Sequence, residues 1–327
     1  MTSTLSTIEN TVLQKTSVSS FSPNSHFKYI EDKLFQIFED ELSSHNTILL
    51  KVNKSVIKKI AMFLSGSIDR AASIGVAGET ASGKSTVALD IIDTIQAFAQ
   101  EFELENIITR INTDDYYYDR SDMVKAAGSF SNFAKNYDLD IPEALELELM
   151  KKHILELLSG KSVSLPKYDM SGTAIRFDNH TLANPSRIVI SEGLFSLTEK
   201  IKDAFDFKIY VAVTKEVQAK RFFIRAEERG LGESAKGIFE NASNKAEVYI
   251  RPCAEEADIV LSGEASRDRY KEFLNRILAI VQEVHFDVRP IFATAKIESD
   301  TLKGEQQSGN DEFSVSCNTI FDEVVIK

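Results

Sequence analysis

The sequence predicts an α/β fold, a five-stranded parallel sheet with helices on both faces, plus an N-terminal helical extension and a C-terminal extension. Three observations carry that expectation. Five short apolar runs, at residues 73–77, 107–111, 188–190, 207–213 and 257–261, are separated by stretches whose apolar residues recur at helical spacing. The runs are predominantly apolar instead of strictly alternating, as strands buried on both faces require. A glycine-rich stretch at residues 78–85 lies between the first run and the first helical segment.

Taken in order, residues 1–25 are rich in Ser and Thr without apolar period and read as a flexible tail. A transit peptide is the sharper alternative, but the segment lacks Arg and contains Glu9. Residues 26–70 read as a helical extension. Phe27, Ile30, Leu34, Ile37 and Leu42 share one helical face, and Val56, Ile57, Ile60, Ala61 and Leu64 form a second set that ends before Gly66. The main domain is expected over 71–285. In it a helix follows Lys84, carrying Val87, Ile91, Ile95, Phe98 and Phe102, and another starts at Pro142 and runs through Leu145, Leu149 and Leu157 to Gly160. A strongly amphipathic helix carries Tyr270, Phe273, Leu274, Ile277, Leu278, Val281 and Val284. Residues 286–327 mix short strand-like runs such as 313–315 with polar stretches and are unassigned.

Composition narrows the function classes. Hydrophobic residues at 43% and charged residues at 27% describe a globular chain, and a net charge of −12 repels a phosphate backbone, so nucleic acid is not an expected partner. Cys253 and Cys317 are the only cysteines, and neither they nor the five histidines show metal-ligand spacing. No apolar run approaches a membrane span and no secretory segment opens the chain, so no membrane partner is expected and the expected location is cytoplasmic.

The stretch Gly78, Glu79, Thr80, Ala81, Ser82, Gly83, Lys84, Ser85, followed by Thr86, has the spacing G-x-x-x-x-G-K-S. Its two end glycines let the backbone curl so that several N–H groups face inward at the positive end of a helix, forming a nest for phosphate oxygens. Lys84 adds a point charge at the β and γ phosphates, and the Ser85 hydroxyl suits Mg²⁺. Strand, loop and helix in this order are the context of the P-loop NTPase fold, so residues 78–86 are the expected nucleotide-binding set. An ordinary Gly-rich turn is the plainer reading. At the end of the second predicted strand, Asp114 and Asp115 stand beside three tyrosines, 116 to 118. Phosphoryl transfer needs a group that orients a hydroxyl and takes its proton, and an Asp near the γ phosphate serves.

These segments, together with a later Glu192-Gly193, resemble the uridine kinase and phosphoribulokinase family of P-loop kinases over about residues 72–262. The resemblance implies roles residue by residue. Asp114 matches the catalytic base of the family's Asp-Ser-Phe/Tyr-Tyr segment, which puts Asp115 and Tyr117 on the acceptor side. Asn136-Tyr137-Asp138 is similar to the segment whose Asp holds sugar hydroxyls, although two extra residues intervene before Pro142-Glu143-Ala144. The segment from Leu165 to Asp169 resembles the Ile-Pro-x-Tyr-Asp part of the acceptor pocket, which assigns Tyr168 there. Family uridine kinases then carry a His and an Arg, whereas this chain has Thr173 and Arg176 and no His between His153 and His180. Arg176 suits an acceptor phosphate or carboxylate, with a surface ion pair to Asp178 as the plainer alternative. Glu192 matches the acidic residue that holds Mg²⁺, alongside Ser85. Arg221, Arg225 and Arg229 share a helical face in a lid expected around residues 215–235. There Arg225 is taken for catalysis and Arg221 and Arg229 for nucleotide phosphates, against a plainer reading as a solvated arginine face.

The implied activity is an ATP-dependent kinase acting on a hydroxyl of a small metabolite, with Lys84 and Asp114 at the centre and a pyrimidine nucleoside as first choice of acceptor. A phosphorylated or acidic acceptor, such as ribulose 5-phosphate or pantothenate, is the second. A nucleotide-binding regulatory module without acceptor phosphorylation is the alternative from another class. Homo-oligomerisation is left open.

Overall fold

The structure is a computed structural model that describes residues 23–285 and 287–292. The tail expected over 1–25 lies outside these residues except for its last three, and residues 293–327, with Cys317 and the run at 313–315, lie wholly outside. The first helix, α1, spans Pro23–Leu42 and so begins before the expected boundary, with proline at its first position, where no N–H is required. Ile30, Leu34 and Phe38 form its buried stripe, whereas Leu42, expected on that face, is 41% exposed. Between α1 and α2 (Lys54–Leu64) lies a short strand absent from the sequence reading, β1 (Leu49–Val52).

The next elements are β2 (Ala72–Ala77), α3 (Lys84–Glu101), β3 (Ile108–Asn112), α4 (Ser121–Ala127), α5 (Phe130–Ala134) and α6 (Leu147–Leu158). The helix predicted from Pro142 therefore starts later: Pro142–Ala144 is a single 3₁₀ turn. The backbone of residues 144–146 is drawn out to pair with 116–118, Tyr118 N donating to Ala144 O and Glu146 N to Tyr116 O, and those bonds compete with a continuous helix. An antiparallel hairpin of β4 (Val163–Tyr168) and β5 (Arg176–Ala183), also unforeseen, stands apart from the main sheet. Then come β6 (Ile188–Glu192), β7 (Phe207–Ala212), α7 (Lys215–Glu228), α8 (Ser234–Tyr249), α9 (Cys253–Glu256), β8 (Ile259–Ser262), α10 (Arg267–Val284) and α11 (Arg289–Phe292). No described helix is long and apolar enough to cross a membrane.

The sheet order is β1-β8-β7-β2-β6-β3. The five predicted strands are all parallel, and β1 adds a sixth, antiparallel to β8 at the edge. One face buries α1, α2, α3 and α10; the other buries α6, the tyrosine turn after β3 and residues 195–205. The N-terminal helix is fastened by Glu41, 2% exposed, which accepts from Ile48 N and from the Arg269 guanidinium at 2.9 and 3.0 Å. From the central β2 the chain goes outward to β3 on one side and later to β7 on the other. That reversal opens a crevice beyond the carboxyl ends of β2, β3 and β6, where the motif residues gather.

Candidate active site

The loop after β2 curls because its backbone has no room for side chains at two places. A Cβ on Gly78 would stand 2.6 Å from both Ser82 Oγ and Val211 O, and one on Gly263, just past β8, would collide with the Ser82 carbonyl. Gly83 has φ +96° and directly precedes α3, so the free N–H groups of an eighteen-residue helix open on to the loop. Replacing Gly263 by Ala should push the Ser82 backbone out of line and weaken nucleotide binding about tenfold at unchanged fold; titration calorimetry with a non-hydrolysable ATP analogue beside a circular dichroism spectrum checks it.

Around the loop the predicted catalytic residues converge. Lys84 is half-buried, and burial lowers its pKa against the pull of the Asp114 and Glu192 carboxylates, with Arg225 near enough to add to the lowering. Burial raises the Asp114 pKa, opposed by Lys84. Asp114 sits in a 3₁₀ turn, Thr113–Tyr116, whose start is capped by Asn112 Oδ1 accepting from Asp114 N at 3.2 Å. Buried bonds hold that turn: Thr113 Oγ1 donates to Glu192 O at 2.8 Å and meets Ser196 Oγ at 2.8 Å, and the Tyr116 hydroxyl meets His153 Nδ1 at 2.9 Å. Tyr116→Phe leaves the imidazole unpaired in the core and should cost about 1–3 kcal/mol of stability in urea unfolding.

Glu192 is 3% exposed, its Oε2 accepting the Ser85 hydroxyl at 2.9 Å and its Oε1 the Arg110 guanidinium at 2.6 Å. The two residues predicted for Mg²⁺ thus present oxygen donors side by side at the start of α3, the hard donor set that ion takes.

Where the acceptor is expected, a cleft of about 650 Å³ opens between the segment 130–140, the hairpin and α8. Tyr117, Phe130, Tyr137 and Tyr168 supply rings, and Asp138, Asp140 and Asp169 supply carboxylates. The Tyr117 and Tyr168 rings are 5.2 Å apart, and the buried Tyr168 hydroxyl has no hydrogen-bond partner among the described residues. Asp138 pairs with Lys245 at 2.5 Å, and Asp140 accepts from Asn241 at 3.2 Å, both partners lying on α8. Two predicted acceptor residues do not line this cleft. Asp115 is pinned to Lys167 at 3.0 Å and to Tyr168 N at 3.3 Å, which ties its turn to the hairpin. Arg176 is held by Glu146 at 2.8 Å and Asp178 at 2.7 Å, so the ion pair with Asp178 stands and a half-buried second one joins it.

The profile of the Phosphoribulokinase / Uridine kinase family matches residues 73–268. The chain belongs to this family. It is an ATP-dependent small-molecule kinase of the P-loop type. Among similar proteins, the uridine kinase of Halobacterium salinarum is 32% identical over 58% of this chain and 78% of its own length. That of Clostridium tetani is 33% identical over 58% and 85%, and that of Brevibacillus brevis 30% over 58% and 83%. Of solved structures, the phosphoribulokinase of Rhodobacter spheroides aligns with a TM-score of 0.45 at 17% identity, over 60% of this chain and 71% of that one.

In this kinase the three arginines expected on a lid part company. Arg221 donates to Gly263 O at 2.8 Å and Ser82 O at 3.4 Å, so it braces the loop's backbone and its guanidinium is already engaged. Arg225, in the last turn of α7, and Arg229, just past its end, are exposed, and no side-chain hydrogen bond or ion pair engages either among the described residues. Four residues that shape the kinase site escaped the sequence reading: Arg110, Gln218, Arg251 and Gly263. Arg110 left a signal, a charge inside an otherwise apolar strand, and Gly263 another, a glycine just past a strand's carboxyl end. Gln218 and Arg251 were given no site role, because their partner, Glu79, is 139 and 172 residues away in sequence.

Proposed function

We propose that this kinase moves the γ-phosphoryl group of ATP to a hydroxyl of a pyrimidine nucleoside. The cleft lined by Tyr117, three residues after Asp114, is the observation that supports this reading. Four aromatic rings suit a flat neutral base, and three carboxylates suit the hydroxyls of a sugar. A phosphorylated or carboxylated acceptor would meet those same carboxylates. Arg176, the cation that favoured that class, is spent on Glu146 and Asp178, and Lys135 is the only cation among the described lining residues.

In this reading the backbone of residues 78–86 and the Lys84 ammonium hold the ATP phosphates. Asp114 accepts the proton of the acceptor hydroxyl, and Arg225 steadies the charge spreading over the transferred group. Ser85 and Glu192 would hold Mg²⁺, which when bound supplies charge neutralisation across the phosphate oxygens. An ADP-release assay with uridine, cytidine, ribulose 5-phosphate and pantothenate, with Lys84→Ala as blank, tests the proposal. Nucleoside-dependent release supports it. Stimulation by the charged acceptors alone overturns it in favour of the second class, and release indifferent to every acceptor points to a nucleotide-binding module.

A further inference from the structure

Glu79, the first variable residue of the phosphate loop, carries a negative charge into a place built for anions. Its carboxylate is not free. Arg251 grips it with a two-pronged fork, Nε to Oε1 at 2.8 Å and Nη2 to Oε2 at 3.1 Å. Gln218, 2% exposed, donates Nε2 to the same Oε2 at 3.2 Å and to the Thr80 carbonyl at 3.0 Å. Gln218 lies on α7, one helical turn before Arg221 and two before Arg225; Arg251 follows the end of α8 and is itself held by Glu247 and Ser243 at 3.2 Å each. The two arms of the helical hairpin that carries the lid arginines are therefore fastened to one loop side chain.

We propose that Glu79 and Arg251 form a positioning pair. The fork neutralises a carboxylate that would otherwise repel the incoming triphosphate, and the same bonds set the register of α7 and α8 on the loop, so that Arg225 stands over the site. The inference rests on the reading of this site as one for ATP phosphoryl transfer, and it deepens that reading by naming two side chains that act without touching phosphate or acceptor. Two consequences follow from the charges. Removing Arg251 alone leaves an unpaired carboxylate beside bound phosphate, whereas removing both charges leaves none. Either change unties α8 from the loop and leaves α7 held there without the fork, by the Gln218–Thr80 and Arg221–Ser82 bonds.

The test compares Arg251→Met, Glu79→Gln and the double variant in the full chain, by calorimetric affinity for a magnesium-free non-hydrolysable ATP analogue and by kcat. Arg251→Met should bind the analogue roughly tenfold or more weakly, and the double variant should recover to within about threefold of the parent. All three should show kcat lowered about tenfold, since the lid register is lost in each. A double variant that binds as weakly as Arg251→Met overturns the charge argument, and parental kcat in Glu79→Gln overturns the register argument. Should Arg251→Met fail to fold, Arg251→Lys keeps the charge without the fork: near-parental affinity with lowered kcat supports the pair, and parental values of both overturn it. The affinity arm needs no acceptor. If the parent ignores uridine the acceptor reading fails by itself, while the pair is still judged on nucleotide binding, and kcat is then read with whichever acceptor the panel returns.

Discussion

Asp114→Asn lowers kcat by about 10²–10⁴-fold and leaves affinity for an ATP analogue nearly intact, because the amide keeps the shape of the turn but no longer takes a proton. Single-turnover ADP formation beside calorimetric binding separates the two effects. Asp115 does not substitute, since Lys167 and the Tyr168 backbone hold its carboxylate on the hairpin side. The pH profile carries the same assignment. Burial raises the Asp114 pKa above the ordinary carboxylate value, with Lys84 opposing, and a base acts only when deprotonated. The acid limb of kcat/KM should therefore lie above the usual carboxylate range, activity falling as pH drops through it. A limb at or below that range would contradict the assignment.

Lys84→Ala should reduce ADP formation by about 10²–10³-fold, through the loss of a positive charge aimed at the phosphates in a site shielded from water. A second consequence tests the electrostatics instead of the rate. Lys84 is the foremost influence opposing the burial-driven rise of the Asp114 pKa, so in the residual activity of Lys84→Ala the acid limb should move further up in pH than in the parent. Arginine at this position should not restore the rate, because its planar fork is bulkier than the ammonium and needs a different approach to the phosphates.

The remaining acceptor-side contacts say how far the sequence reading reached. Tyr117, Asp138 and Tyr168 all line one cleft, as the resemblance implied, and Ser85 lies within hydrogen-bond reach of Glu192 although 107 residues separate them. Asp115 and Arg176 were assigned to the acceptor, yet each is engaged by a partner that the linear order does not reveal. For a charged side chain the residue type announces a capacity to bind, and the fold decides what it binds.

The sequence by itself determined the five parallel strands, the phosphate loop and the residues at the strand ends. Each of those signals is local: a strand buried on both faces is a predominantly apolar run, and the loop's glycines, lysine and serine lie within eight positions. Only the tertiary structure decided the rest. Strand β1 is a four-residue segment with one buried side chain, and it exists as a strand because the β8 edge is there to pair with it. Strand β5 is exposed along most of its length and depends on β4 in the same way. The Glu79–Arg251 fork joins residues 172 apart. Backbone pairing and ion pairing bring a partner from elsewhere in the chain, and such a choice is made by packing geometry, which no local period encodes.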